Sequence, residues 1–144
     1  MQIVNGASDE TIDGTLSVSG SATFSLSHIA KTTTATLTPS ECKNTVIHNL
    51  GQSAEMTLTL PTAAEGYSFL YHLATAAQTS HIKAGASDKI YLDGVPLDDA
   101  DKVSNNGASS TVLDAIRFYT FETSSGVYDW AAFTLFGTWS DGGA

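Results

Sequence analysis

The chain has 144 residues, a length typical of one domain that can bury a core without disulfides or metals. Its 15 acidic and 6 basic residues give a formal charge of −9, which excludes a basic face for nucleic acid or an anionic membrane. A lone Cys42 excludes an internal disulfide, no apolar run reaches the ~20 residues of a membrane span, and we expect no signal peptide after Met1.

Residues 1–30 are predicted to form an extended arm. Small polar residues alternate with apolar ones there, so one side of an extended strand would be apolar. That stripe consists of Ile12, Leu16, Val18, Phe24 and Leu26. A single apolar stripe is not stable alone. It is either an ordinary edge strand of the main sheet or an arm that packs on a neighbouring subunit or on a capsid, and we favour the arm.

Residues 31–144 are predicted to form the folded domain, because short strand patterns recur about every ten residues without a convincing amphipathic helix. Thr38 is expected to cap a single helical turn that begins at Pro39. A tight turn is expected at Asp93-Gly94, and the acidic stretch 97–107 is expected to be an exposed loop. We find no internal repeat. The pattern predicts an all-β fold, a β-sandwich or jelly-roll-like barrel of about eight short strands.

The aromatic end of the chain, residues 111–122 and 127–139, is predicted to form the closing strand pair. Simple alternation puts Trp130 and Phe136 on one face and Phe133 and Leu135 on the other. A strand that is apolar on both faces is covered on both faces. We therefore expect these four residues to divide between the core of the domain and a subunit contact.

Candidate chemical sites are weak in this sequence. Cys42 has no nucleophile signature around it, and we expect neither catalytic residues nor a cofactor. The four histidines are far apart, although one could meet its copies on a trimer axis and bind an ion. The aspartates near residues 93–101 lack the spacing of a calcium loop. A sugar-stacking platform that includes Trp130, Trp139, Tyr119 and Tyr128 is a further alternative to core and interface roles.

Several short motifs together resemble a loose family of bacteriophage virion structural proteins, found as capsid decoration proteins and as domains of head and tail fibres. The arm motif is similar to the linkers of trimeric phage fibres, and the others follow the order of that family. The motifs are GTLSVSGSATF (14–24), TLTPSEC (36–42), TVIHN (45–49), MTLTLP (56–61), GYSFLY (66–71), DKIY (88–91) and the aromatic strand 126–139. The closing strand is more apolar here, and the acidic insert is longer, than is usual in the family.

The resemblance implies a non-enzymatic homotrimer that binds the major capsid protein on the outside of a phage head and stabilises the shell. Its location would be the virion, after synthesis in the host bacterial cytoplasm. The alternatives are a head- or tail-fibre module that binds a host glycan or acts as an adaptor, an unrelated carbohydrate-binding module and, last, an enzyme.

Overall fold

The structure, a computed structural model, describes residues 26–85, 87–98 and 101–143, and in these residues the all-β prediction is confirmed. No helix in the described part is long and apolar enough to cross a membrane. The strands are β1 (Ser27–Ala30), β2 (Ala35–Thr36), β3 (Lys43–His48), β4 (Met56–Thr59), β5 (Ser68–His72), β6 (Ser80–Lys83), β7 (Ile90–Leu92), β8 (Val95–Pro96), β9 (Lys102–Asn105), β10 (Ala115–Ser124), β11 (Val127–Phe136) and β12 (Ser140–Asp141).

Two mixed sheets form a β-sandwich. The large sheet has the order β1-β3-β5-β10-β11-β7-β8 and the small sheet the order β12-β9-β6-β4-β2. The apolar residues between the sheets form a single core, because alternate positions of the strands point inward. Its largest fully buried side chains are Trp130, Tyr71, Phe69, Phe118, Leu37 and Ile47.

The first six strands wind between the two sheets as a coil. Odd-numbered strands β1, β3 and β5 pair in parallel in the large sheet, and even-numbered strands β2, β4 and β6 pair in parallel in the small one. Thr45 is paired with Phe69 and Met56 with Ser80, a separation of 24 residues in both sheets. The first turn is shorter, because Ser27 is paired with Thr45 and Ala35 with Leu58, so the coil has no constant repeat length.

The hairpin of β10 and β11 lies in the middle of the large sheet, between β5 and β7. Its inward side contributes Ile116, Phe118, Trp130 and Ala132 to the core, and all four are fully buried. Because β7 runs parallel to β11, it brings the Asp93-Gly94 turn alongside the hairpin. That turn was predicted, and both of its residues have positive φ values, 50° and 87°.

The helical turn predicted after Thr38 is also present, as a 3-10 turn over Pro39–Cys42. The Thr38 side chain accepts a hydrogen bond from the backbone N–H of Glu41, and the Glu41 carboxylate accepts one from the backbone N–H of Thr38. This reciprocal capping satisfies two donors that a helix start leaves open.

Two expectations need correction. The stretch 97–107 is not simply an exposed loop, because β9 lies within it and pairs with both β6 and β12. Val103, Ser104 and Asn105 of β9 are buried; the acidic and turn-forming residues around them masked this strand in the sequence. The arm was expected to extend to residue 30, but Ser27–Ala30 pair with β3, and residues 1–25 lie outside the described part.

Candidate functional site

The outward side of the β10–β11 hairpin is aromatic. Tyr119 lies opposite Ala131, which in turn is paired with Tyr91 of β7, so these three residues share the face that points away from the small sheet. Phe121 and Phe133 lie two residues further along their strands on the same face. The large sheet therefore presents a row of aromatic side chains outward, with no further protein layer over it among the described residues.

The aromatic side chains pack in pairs and enclose a groove. Tyr119 and Phe133 are stacked at 5.7 Å between ring centroids, and Tyr91 and Phe121 meet edge to face at 5.2 Å. Such pairs are stabilised beyond simple burial and hold their rings in defined positions. The groove between them has a volume of about 240 Å³ and is lined by Tyr91, Gly94, Tyr119, Phe121, Ala131 and Phe133. We call it the aromatic groove.

The charged groups close to the groove are engaged within the chain. The Asp93 carboxylate accepts hydrogen bonds from the backbone N–H and the hydroxyl of Thr134, at 2.9 and 2.8 Å, which fixes the turn that forms one wall. Asp129 accepts a hydrogen bond from the backbone N–H of Lys89 at 2.9 Å. Arg117 donates one to the Ser68 hydroxyl at 3.0 Å. The groove itself thus offers apolar contact and shape rather than charge.

The four hairpin residues singled out in the sequence have different environments. Trp130 is fully buried, and its indole N–H donates to the carbonyl of Pro61 at 3.3 Å. Phe133, Leu135 and Phe136 are 40%, 48% and 68% exposed. The sequence placed Phe136 on the same side as Trp130, but a register shift between Ala115 and Ile116 interrupts the alternation there, and Phe136 is outside the core.

The arm residues are not assembled into a site by the described structure. Leu26 is 49% exposed just before β1. Ile12, Leu16, Val18 and Phe24 lie outside the described residues. The packing of the apolar stripe on a neighbour stays a prediction.

Both tryptophans of the sugar-platform alternative are buried. Trp130 is fully covered and Trp139 is 7% exposed, packed edge to face on Tyr71. An exposed stacking platform built on the tryptophans is therefore wrong. Tyr119 does reach the surface, and its groove partners Tyr91 and Phe121 were missed in the sequence, since only the parallel pairing of β7 with β11 brings Tyr91 to Ala131.

The candidate nucleophile is shielded. Cys42 is fully buried, and burial, followed by the nearby Glu41 carboxylate, raises the pKa of its thiol to about 12. A thiolate is the reactive form, so this cysteine behaves as a core residue.

Histidines come together on the outward side of the large sheet. The rings of His48 and His72 lie 5.6 Å apart on paired positions of β3 and β5. The backbone N–H of Leu50 donates to Nδ1 of His48, whereas Nδ1 of His72 is buried without a hydrogen-bond partner. Among the described residues, no group of three or more His, Cys, Asp or Glu side chains could hold a metal ion.

Comparisons with protein-family models, with curated proteins and with solved structures found no match to this chain.

Proposed function

We propose that this chain is a non-enzymatic structural protein of a bacteriophage particle, a decoration protein that forms a homotrimer and binds the major capsid protein on the outside of the head. The observation that carries the proposal is the uncovered aromatic face of the large sheet. Phe133, Leu135 and Phe136 expose 40%, 48% and 68% of their surface on one strand. Contiguous exposed apolar surface of this kind is typical of protein–protein contact sites.

The role of this face would be mechanical. Burial of apolar surface against another subunit or the shell is favourable by roughly 25 cal/mol per Å² removed from water. One such contact is modest after the costs of association, but many copies on a symmetric shell act together. Repeated weak contacts would then hold adjacent capsomers against internal pressure.

Charge fits this assignment. None of the six residues that line the aromatic groove is ionisable at neutral pH, although the chain as a whole has a formal charge of −9. Copies that repel one another over most of their surface can still meet through the uncharged groove, since the charged groups beside it are hydrogen-bonded within the chain. The negative charge of the rest of the chain favours solubility at high protein concentration and disfavours binding to DNA.

The assignment to a phage particle rests on the sequence motifs, in particular the arm at 14–24 and the strand at 56–61 that ends in proline. In this proposal the arm stripe from Ile12 to Leu26 lies on a neighbouring subunit or on the capsid. A segment of 25 extended residues reaches on the order of 80 Å, which is enough to cross a subunit boundary.

A fibre module that binds a host glycan is the second candidate, and the aromatic groove is the observation that favours it. Sugar rings stack on aromatic faces, but their hydroxyl groups also need hydrogen-bond partners. The charged groups nearest the groove, on Asp93, Asp129 and Arg117, are bonded within the chain, so the hydroxyl groups of Tyr91 and Tyr119 in the lining would have to supply such bonds. Saturable binding on a glycan array, lost in Tyr119→Ala, would favour this candidate over the capsid role.

Co-sedimentation with purified expanded capsids of the encoding phage tests the proposal. The wild-type chain should pellet with the capsids at a fixed ratio, and Phe133→Asp should remain in the supernatant because it puts a charge into the apolar face. Leu50→Asp is the matched control, since Leu50 is 60% exposed but lies in the turn after β3, away from the groove. Wild-type protein that does not pellet, or equal loss in both variants, contradicts the proposal.

Removal of residues 1–25 distinguishes the role of the arm from the role of the aromatic face. A shortened chain that trimerises and coats capsids like the full chain would contradict the role of the arm and leave the role of the face intact.

A further inference from the structure

A second apolar feature lies at the start of the hairpin. Val112 and Leu113, immediately before β10, are 57% and 65% exposed. Leu113 has a φ of +75°. A branched, bulky side chain rarely adopts this backbone conformation, which persists only where the surroundings enforce it. The exposure of these two side chains is therefore enforced by the backbone of the loop. We call the pair the apolar knob.

Hydrogen bonds on both sides of Leu113 enforce its conformation. Its backbone N–H donates to the carbonyl of Leu73 at 2.8 Å. The next residue, Asp114, is 4% exposed, and its carboxylate accepts from the N–H and hydroxyl of Thr111 and from the side-chain amide of Asn105, at 3.1, 2.6 and 3.0 Å. These bonds fix the loop to β5 and to β9, so the knob is preorganised.

The same chain cannot place this knob in its own groove. The middle of the groove, at the Tyr119–Ala131 pair, lies four residues along β10 from Ala115. At ~3.4 Å per residue this is about 14 Å, and the knob lies beyond Ala115 at the far end. The knob is an apolar projection and the groove an apolar depression of the same chain. The knob of one copy can therefore reach only the groove of another copy.

We propose that the apolar knob of one copy inserts into the aromatic groove of the next. This inference rests on the self-association in the proposed function and names its contact. Knob and groove are different surfaces, so the contact is heterologous and passes from copy to copy until it closes into a ring. Three copies close the ring in the homotrimer.

Charge distribution supports a second copy as the occupant. The eleven residues 103–113, which include the knob, carry no charge, and neither do the six that line the groove, on a chain with a formal charge of −9. The carboxylates nearest these two surfaces are already hydrogen-bonded within the chain. Asp114 is buried below the knob, and Asp93 in the wall of the groove accepts hydrogen bonds from Thr134.

Further exposed apolar surface lies beside the knob. Two side chains cover much less than the ~800 Å² per partner of a standard interface. Phe136 is paired with Ala115 at the same end of the hairpin, and Leu135 precedes it; the two are 68% and 48% exposed. They continue the apolar surface of the knob along β11.

Disulfide trapping tests this contact. Leu113→Cys and Tyr119→Cys are purified separately, mixed and oxidised; the native Cys42 is fully buried and does not interfere. We expect a disulfide-linked pair in the mixture and little in either variant alone. The double variant should give a covalent ring of about 45 kDa, three times the chain mass of 15.1 kDa. Leu50→Cys mixed with Tyr119→Cys is the matched control and should stay unlinked.

The outcomes separate this inference from the proposed function. If the wild-type chain is a trimer by light scattering but the mixture forms no mixed disulfide, the knob-in-groove contact is wrong and the assembly role stands. If Tyr119→Cys links to itself, the grooves face each other and the heterologous contact is wrong. If the wild-type chain is a monomer and no link forms, the contact and the trimer both fail. Leu113→Asp should lose the trimer while Leu50→Asp keeps it.

Discussion

Asp114 links the two sheets and the exposed knob, and its replacement gives the most informative stability experiment. In Asp114→Ala, the buried side-chain amide of Asn105 and the backbone N–H of Thr111 each lose an acceptor. Asn105 still donates to the carbonyl of Thr138, and the exposed Thr111 can be rehydrated. Hydrogen bonds to a charged group contribute about 1.5–3 kcal/mol, so the replacement should lower the free energy of unfolding by about that amount. That is a large share of the ~5–15 kcal/mol of a typical domain.

Asp114→Asn provides the matched comparison. The amide oxygen can take the position that accepts from Thr111 N–H and Asn105, and the amide N–H₂ can then donate to the Thr111 hydroxyl. All three contacts are kept, and only the charge assistance is lost. We expect a cost of about 1 kcal/mol, clearly less than for Asp114→Ala.

The pH dependence of the same site follows from its electrostatics. Burial raises the pKa of the Asp114 carboxyl, but hydrogen bonds from Thr111 and Asn105 outweigh it and hold that pKa below its ordinary value. The unfolded chain therefore takes up this proton first as the pH falls. The stabilisation is fully present above the unfolded pKa, near 3.9, and is lost as the pH falls through the lower folded pKa. The stability difference between wild type and Asp114→Asn should shrink over that acidic interval.

Urea unfolding followed by far-UV circular dichroism measures these differences between pH 7 and pH 2.5. A cost below ~1 kcal/mol for Asp114→Ala at pH 7, or equal costs for the two variants, would refute the hydrogen-bond account. Light scattering adds a second readout. Asp114→Ala should lose self-association under conditions where it is still folded, since its knob is no longer held.

Further predictions concern the two faces of the large sheet. Trp130→Ala should destabilise the folded chain by about 3–5 kcal/mol in urea unfolding, because it empties a fully buried site; Phe133→Ala, 40% exposed, should cost the monomer less than ~1 kcal/mol yet weaken self-association. Equal costs would mean that Phe133 belongs to the core. Burial, followed by the nearby His72 and His28, lowers the pKa of His48 below its ordinary value. Stability should therefore fall as the pH drops below about 6.5, and His48→Gln should flatten this dependence in pH-dependent thermal melts; an unchanged slope would contradict it.

Local sequence patterns predicted the strands and turns whose causes are local. The strand patterns that recur about every ten residues correctly predicted an all-β fold. The Thr38 cap and the Asp93-Gly94 turn were also correct, because each depends on residues within a few positions of one another.

Features that depend on long-range pairing were not predictable. The coil of parallel strands leaves no sequence repeat, since a strand position only has to be apolar and of suitable size to fill its layer. Strand β9 was hidden because its buried residues include the polar Ser104 and Asn105, whose side chains bond to His81 of β6 and to Asp114. The position of Phe136 depends on a register shift that alternation does not reveal.

The candidate site was predicted only in part. Phe133 and Leu135 are exposed as a contact surface requires, and the structure adds the groove partners Tyr91 and Phe121 and the knob at Val112 and Leu113. The knob carried no signal in the sequence, because a Thr-Val-Leu stretch predicts a strand rather than a positive φ. Its exposure comes from Asp114, whose bonding partners include the distant Asn105.

The mass of the wild-type chain in solution, measured by light scattering at micromolar concentration, tests the central claim most directly. If the aromatic face of the large sheet is an assembly surface, the protein should have a mass of about 45 kDa, three times its chain mass of 15.1 kDa, and Phe133→Asp should reduce it to that of one chain. A wild-type mass of 15.1 kDa at that concentration would contradict the claim.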